Sequence, residues 1–150
     1  MPEAIFHIRN LDVRFRTNQG DVHAVKSVSL SIGPGETLAI VGESGSGKSQ
    51  TMLASLGLIA SNGSVTGSAR LTGHELVGLG EAPLNTIRGR RVTMIFQEPM
   101  TSLDPLYRIG DQIASVVRHH QKVGRARARD RALELLRLVR IPEPERRIDA

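Results

Sequence analysis

The stretch Gly42-Glu43-Ser44-Gly45-Ser46-Gly47-Lys48-Ser49 constrains the fold more than any other part of this chain. It fits the pattern G-x-x-x-x-G-K-[ST], a glycine loop that carries meaning only when a strand runs in and a helix runs out. Both neighbours have the required character. Thr37-Leu38-Ala39-Ile40-Val41 is a short apolar run expected to form a buried parallel strand. Gln50 to Leu56 is expected to form a helix, with Met52, Leu53, Leu56 and Ile59 as its apolar stripe. Strand, glycine loop and helix in that order commit the region to an α/β fold.

The chemistry such a loop serves is phosphate binding. A helix start presents unpaired N–H groups and a partial positive charge, and the phosphates of a nucleotide satisfy both. The loop must also wrap its amides into a concave nest. Side chains at the tight turns would obstruct that approach, and some turn positions need positive φ, so Gly42, Gly45 and Gly47 suit the purpose. Lys48 can reach the β- and γ-phosphates, and the Ser49 hydroxyl can ligate a bridging Mg²⁺. Only three of the 20 Lys and Arg residues are lysines, namely Lys26, Lys48 and Lys122. A compact ammonium fits between two phosphates where a planar guanidinium would not.

Composition narrows the alternatives. With 150 residues the chain can bury one ordinary core. Without cysteine, it has no disulfides, thiolate metal sites or cysteine nucleophiles. No apolar run approaches the ~18 residues of a membrane span, and the N-terminus lacks a signal-peptide pattern. The net charge of +5 is concentrated between Arg118 and Arg147, where it reads as a solvated basic helix face. Aromatic residues make up 3%, too few for a stacking surface along single-stranded nucleic acid.

Elsewhere, Ile5 to Arg16 reads as a half-buried strand, alternating from Leu11 through Val13 and Phe15. After a turn at Asn18 to Asp21, Val25, Val28, Leu30 and Ile32 mark a second strand, partly out of period. Ser61 to Ser64 is a loop, Val65 to Leu71 a short strand, and Pro83 to Arg88 a short helix. Arg91 to Phe96 is expected to be a strand, and Pro99 to Pro105 irregular. Ile109 to Gln121 and Arg125 to Val139 read as two helices, the second with Ala128, Ala132, Leu135, Leu136 and Val139 as its buried stripe. His119 and His120 are expected to be exposed and to hold no metal.

These residues together resemble the nucleotide-binding subunit of ATP-binding cassette (ABC) transporters, specifically importers of di- and oligopeptides. Gly35 to Gly42 is similar to the family's approach to its Walker A motif, and Val92 to Pro99 to the strand ending in its Q-loop. Met100 to Pro105, Gly42 to Gln50, and Gly20 to Val25 are similar to segments of the peptide-importer subgroup. The likeness runs from about Ile5 to Ala150. It implies a P-loop NTPase core of the ABC ATPase type, with an N-terminal antiparallel β portion and the start of a helical subdomain. Residues 1–98 would be the ATP-binding core and 99–150 the incomplete helical subdomain.

The resemblance implies roles as well. ATP and Mg²⁺ would be the cofactors, held by Gly42, Glu43, Ser44, Gly45, Ser46, Gly47, Lys48, Ser49 and Gln50. Phe15 occupies the position of the aromatic residue that stacks on adenine, although its shared face with Leu11 and Val13 equally suits a core residue. Gln97 matches the Q-loop glutamine, placed near Mg²⁺ and the attacking water, so Lys48 and Gln97 would be the catalytic residues and Ser49 and Gln97 the metal-binding ones. The implied partners are transmembrane permease subunits, a second ATP-binding subunit and, indirectly, an extracytoplasmic solute-binding protein; no nucleic acid is expected. Leu103, Leu106 and Tyr107 are candidates for the permease contact. The implied location is peripheral, at the cytoplasmic face of the membrane.

A signature motif, a Walker B aspartate with its catalytic glutamate, and a switch histidine complete such ATPases, and none occurs up to Ala150. The chain is therefore expected to be the N-terminal part of a longer protein, a weak nucleotide binder with negligible turnover and a tendency to aggregate. Two other readings stay open at this level: an ABC-type ATPase acting on nucleic acid or the ribosome, and an inactive nucleotide-binding fragment.

Overall fold

The computed structural model describes residues 4–98 and 102–150. The chain divides into two compact units, Met1–Arg88 and Gly89–Ala150.

The first unit is built on a four-stranded antiparallel sheet in the order β2-β1-β3-β4. Its strands are β1 (Phe6–Thr17), β2 (Gly20–Ile32), β3 (Gly63–Leu71) and β4 (His74–Glu75). Helix α1 (Lys48–Ser55) packs on one face, and helix α2 (Glu81–Ile87) follows β4. Ile8, Leu11, Val13, Val25, Ala54 and Ala69 form the core, with Phe15, Met52 and Ile59 packed against it.

Bulges explain why the alternation is regular only from Leu11 and why β2 runs out of period. From Ile8↔Leu30 to Leu11↔Val28, β1 advances one residue more than β2; from Leu11↔Val28 to Val13↔Val25 the excess is on β2. Each extra residue switches the face on which the following side chains stand, which is how Ile8, Leu11 and Val13 all reach the core. Asn10 and Ser27, both with positive φ, lie at these irregularities. The Asp12 carboxylate pins the region, bonding the His23 ring and accepting from the Ser27 amide. A further extra residue falls between Val25 and His23, at Ala24.

Helix α1 stops after two turns in a Schellman arrangement, with Gly57 at φ 66°. Gly57 N donates to Ala54 O and Leu58 N to Leu53 O. The buried residues of the helix are Thr51, Ala54 and Ser55, whereas Met52 and Leu53 of the expected stripe are half-buried. The Arg88 side chain donates to Leu56 O, Gly57 O, Glu81 and Asn85, binding the end of α1 to α2.

Two expected strands are absent. Thr37–Val41 is not paired as a strand, and Val41 is 89% exposed. Arg91–Phe96 is likewise irregular apart from an isolated bridge at Val92, whose carbonyl accepts from Gly89 N; Ile95 is 95% exposed. The physical reason is pairing. The N–H and C=O groups of a central parallel strand need neighbours on both sides, and no strand among the described residues lies beside either run. The apolar composition is that of buried strands, but the hydrogen-bond partners that would make them so are not among these elements.

In the second unit, α3 (Ile109–Gln121) and α4 (Arg125–Leu138) form a helical hairpin, followed by α5 (Pro144–Arg147). Their core is Ala114, Val117, Ala128, Ala132, Leu136 and Ile148. Val139, expected in the α4 stripe, lies just past the helix and is 65% exposed, because the chain turns there. Gly110 lies directly under Ile148: a β-carbon on Gly110 would stand 2.4 Å from Ile148 Cγ1. His119 is exposed and His120 half-buried. Of the irregular segment expected over 99–105, residues 99–101 lie outside the described residues.

Candidate functional site: the glycine loop at the start of α1

The loop Gly42–Gly47 runs into α1 with Gly47 as its N-cap, at φ 88° and ψ 2°. Gly45 has φ 79°. Both values lie in the left-handed region that glycine enters without steric cost. Gly47 also meets a steric demand, since a β-carbon there would stand 2.4 Å from Ala24 O. Ala24 is the extra residue in β2, so the bulge and the glycine together let the loop sit against the sheet.

Ser46 N donates to Glu43 O at 3.2 Å, closing a turn within the loop. Thr51 fastens the other side: its amide and its hydroxyl both donate to Gly47 O at 2.9 Å. Lys48, the first residue of α1, folds its side chain back over the loop. Its ammonium donates to Gly42 O at 2.8 Å, Glu43 O at 2.6 Å and Ser46 Oγ at 3.2 Å. A cation is thus gathered over a turn of backbone at the positive end of a helix. No acidic side chain stands in the first turn of α1, so nothing there competes for an incoming anion. Gly42 is the approach point: a β-carbon on it would meet Ser46 Oγ at 2.8 Å. Ser49 and Gln50 occupy the same first turn, Ser49 exposed and Gln50 half-buried.

Phe15 lies near the end of β1, half-buried, and packs against the first core while bordering an open cleft of about 590 Å³. It shares a face with Val13, which pairs with Val25, the residue on which Gly47 rests. Phe15 therefore stands roughly 7 Å along the strand from the loop's contact with the sheet. Core packing and partial exposure coexist in one ring. Gln97 belongs to the second unit, where it is exposed in the irregular run after Phe96 and not at a strand end.

Sequence reasoning missed two features of the site. The Ala24 bulge follows from register, which only pairing reveals. The second is the contact of Asn62 and Gly63 with the end of β1; the turn residues signalled a loop there but not what it touches. No group of three or more His, Cys, Asp or Glu side chains suited to a metal occurs among the described residues.

A glycine turn laid on a sheet, with an ammonium at a helix start, is the P-loop type of phosphate-binding architecture. The chain belongs to the ABC transporter family, whose model matches residues 25–150. It is 44% identical over 146 residues to the oligopeptide transport ATP-binding protein OppD of Escherichia coli, covering 97% of this chain and 43% of that protein. It is 46% identical to OppD of Haemophilus influenzae, covering 96% of this chain and 45% of the relative. The dipeptide transport ATP-binding protein DppD of Lactococcus lactis is 47% identical, with 95% and 42% covered. The chain thus spans less than half the length of these relatives. Among solved structures, the ATP-binding cassette MJ0796, a dimer in a post-hydrolysis state bound to ADP and Pi, superposes with a TM-score of 0.77 at 24% identity. That match covers 96% of this chain and 60% of the other, and shows the shared fold. No helix among the described residues is long and apolar enough to cross a membrane.

Proposed function

We propose that this chain is the ATP-binding part of an ABC importer subunit, in which ATP binding and hydrolysis drive uptake of oligopeptides or dipeptides. The observation that carries the reading is the Lys48 ammonium held over the Gly42–Ser46 turn at the start of α1. Its three present acceptors are two carbonyls and a hydroxyl. Phosphate oxygens carry full negative charge and form stronger, charge-assisted bonds. The β- and γ-phosphates of ATP would take over the ammonium, while the loop amides and the start of α1 receive the remaining oxygens. Ser49 and Gln97 would be the residues that hold Mg²⁺. When bound, the metal would supply positive charge that offsets the negative charge of the phosphates. Phe15 would stack on the base.

The names of the relatives support a peptide cargo, and the exposed Leu103, Leu106 and Tyr107 support a docking face for permease subunits. On this reading the subunit works at the cytoplasmic face of the membrane, paired with a second ATP-binding subunit. A solute-binding protein would deliver cargo from the other side, and nucleic acid plays no part. Residues 1–98 form the ATP-binding core and 99–150 begin the helical subdomain.

The test is genetic and biochemical. Disrupting the coding sequence should abolish uptake of labelled oligopeptides or dipeptides. The wild-type gene should restore it, and a Lys48→Ala gene should not. Normal peptide uptake by the disrupted strain would overturn the proposal.

A further inference from the structure

The loop between α1 and β3 touches the end of β1 in a way that its composition does not reveal. Asn62 brackets Arg16, the residue after Phe15: Arg16 N donates to Asn62 O at 3.0 Å, and Asn62 Nδ2 donates to Arg16 O at 2.9 Å. Both backbone groups of Arg16 are thereby fixed by one residue 46 positions away. The next residue, Gly63, is the cross-strand partner of Phe15. A β-carbon on Gly63 would stand 2.8 Å from Phe15 Cε1 and 2.7 Å from Ile59 Cδ1. The Phe15 ring therefore lies over the bare backbone of Gly63. The turn that delivers both residues is closed by Gly63 N donating to Ala60 O at 2.9 Å.

We propose that Asn62 and Gly63 are positioning residues for the nucleotide base: they set the height and tilt of the Phe15 ring on which the base would stack. This rests on the stacking role given to Phe15 above. The argument is mechanical. Phe15 sits two residues before the end of β1, where β2 holds one edge of the strand through Arg16↔Asp21 and Thr17↔Gly20 and Asn62 holds the other. Stacking needs a ring held in one plane. Asn62 removes the backbone freedom beside the ring, and the missing side chain at Gly63 creates the space the ring fills. The contacts that Asn62 and Gly63 make with Arg16 and Phe15 lie at the end of β1, so both act on the base end of the ligand and not on its phosphates.

That separation supplies the test. Binding of Mg-ATP and of magnesium tripolyphosphate, which has the phosphates but no base, is measured by calorimetry. The chains compared are wild type, Phe15→Leu, Asn62→Ala and Gly63→Ala. Stacking of one base is worth enough that losing it weakens ATP binding about five-fold or more. All three variants are expected to lose that factor for ATP and to bind tripolyphosphate as wild type does. If Phe15→Leu binds ATP like wild type, the stacking role itself falls, and this inference with it. If Phe15→Leu is weakened while Asn62→Ala and Gly63→Ala are not, the inference alone is overturned. Equal loss of both ligands in the Asn62 and Gly63 variants also overturns it, because it marks a general role in folding. Ring-proton chemical shifts of Phe15 give a second readout, expected to move in Asn62→Ala and Gly63→Ala without a change in the shifts of Lys48.

Discussion

Gly47 and Ala24 meet at a point where two backbone irregularities coincide. Ala24 is the extra residue of a bulge in β2, and its carbonyl oxygen lies 2.4 Å from where a β-carbon on Gly47 would stand. The phosphate loop is seated on the sheet through this contact. A Gly47→Ala substitution would force apart two backbone segments and also hold alanine at φ 88°. We expect it to destabilise the first unit by about 2–4 kcal/mol. Gly45→Ala, with similar φ but no atom within 4 Å of the new carbon, should cost only about 1 kcal/mol. Urea unfolding of the two variants beside wild type checks the difference.

Lys48 should be irreplaceable for nucleotide binding. Lys48→Ala removes the cation gathered over the loop. Lys48→Arg keeps the charge but offers a planar fork too broad for the three acceptors now within 3.2 Å of the ammonium. Both variants are expected to bind Mg-ATP at least about tenfold more weakly, the loss of one charge-assisted contact. Calorimetric titration measures it, and wild-type affinity in Lys48→Arg would contradict the account.

Arg88 ties the end of the P-loop helix to α2 through four acceptors, two of them the carbonyls of Leu56 and Gly57. Those carbonyls belong to the helix terminus, where intrahelical donors run out. Replacing Arg88 with methionine preserves much of the packing and removes every donor. The expected loss is about 1–3 kcal/mol, visible as a lower unfolding midpoint. A midpoint unchanged from wild type would show that water replaces these bonds without cost.

Glu75 provides a pH signature. Burial raises its pKa, but hydrogen bonds from Ser68, the Ala69 and Val77 amides and Arg70 outweigh burial and hold it below the ordinary 4.5. With the folded pKa depressed, the carboxylate's stabilising contribution is complete above the ordinary value. It is lost as pH falls through the lower folded one. Glu75→Gln should therefore be less stable than wild type at neutral pH and show a flatter loss of stability below pH 4.5. Denaturation series across that range decide it; parallel curves for the two chains would exclude Glu75 as the source.

Backbone amides should exchange unevenly. Those at Ile8, Leu11 and Val13 belong to fully buried residues of a strand paired on both sides, whereas those of 37–41 and 93–97 lie in exposed runs with no strand beside them. Exchange should be slow in the first set and near the unprotected rate in the second. Strong protection of 37–41 would show that this run finds a pairing partner.

Local signals carried a large part of this architecture. Glycine spacing at 42, 45 and 47 identified the loop because tight turns and close backbone approach exclude side chains at those positions. The hairpin of β1 and β2, the strand β3 and the helices α3 and α4 were legible because period-2 and period-3.6 patterns are properties of neighbouring residues. Pairing was not legible. Thr37–Val41 and Arg91–Phe96 have strand composition, yet a strand exists only where another chain segment accepts its hydrogen bonds. The Ala24 bulge, the Asn62 bracket on Arg16 and the exposure of Val139 likewise depend on what lies opposite in space. The residues alone determined that a cation and a glycine turn would meet at a helix start, because that geometry is written within eight consecutive positions. Only the tertiary structure decided where that turn rests and which ring stands beside it, because both are set by contacts between residues far apart in the chain.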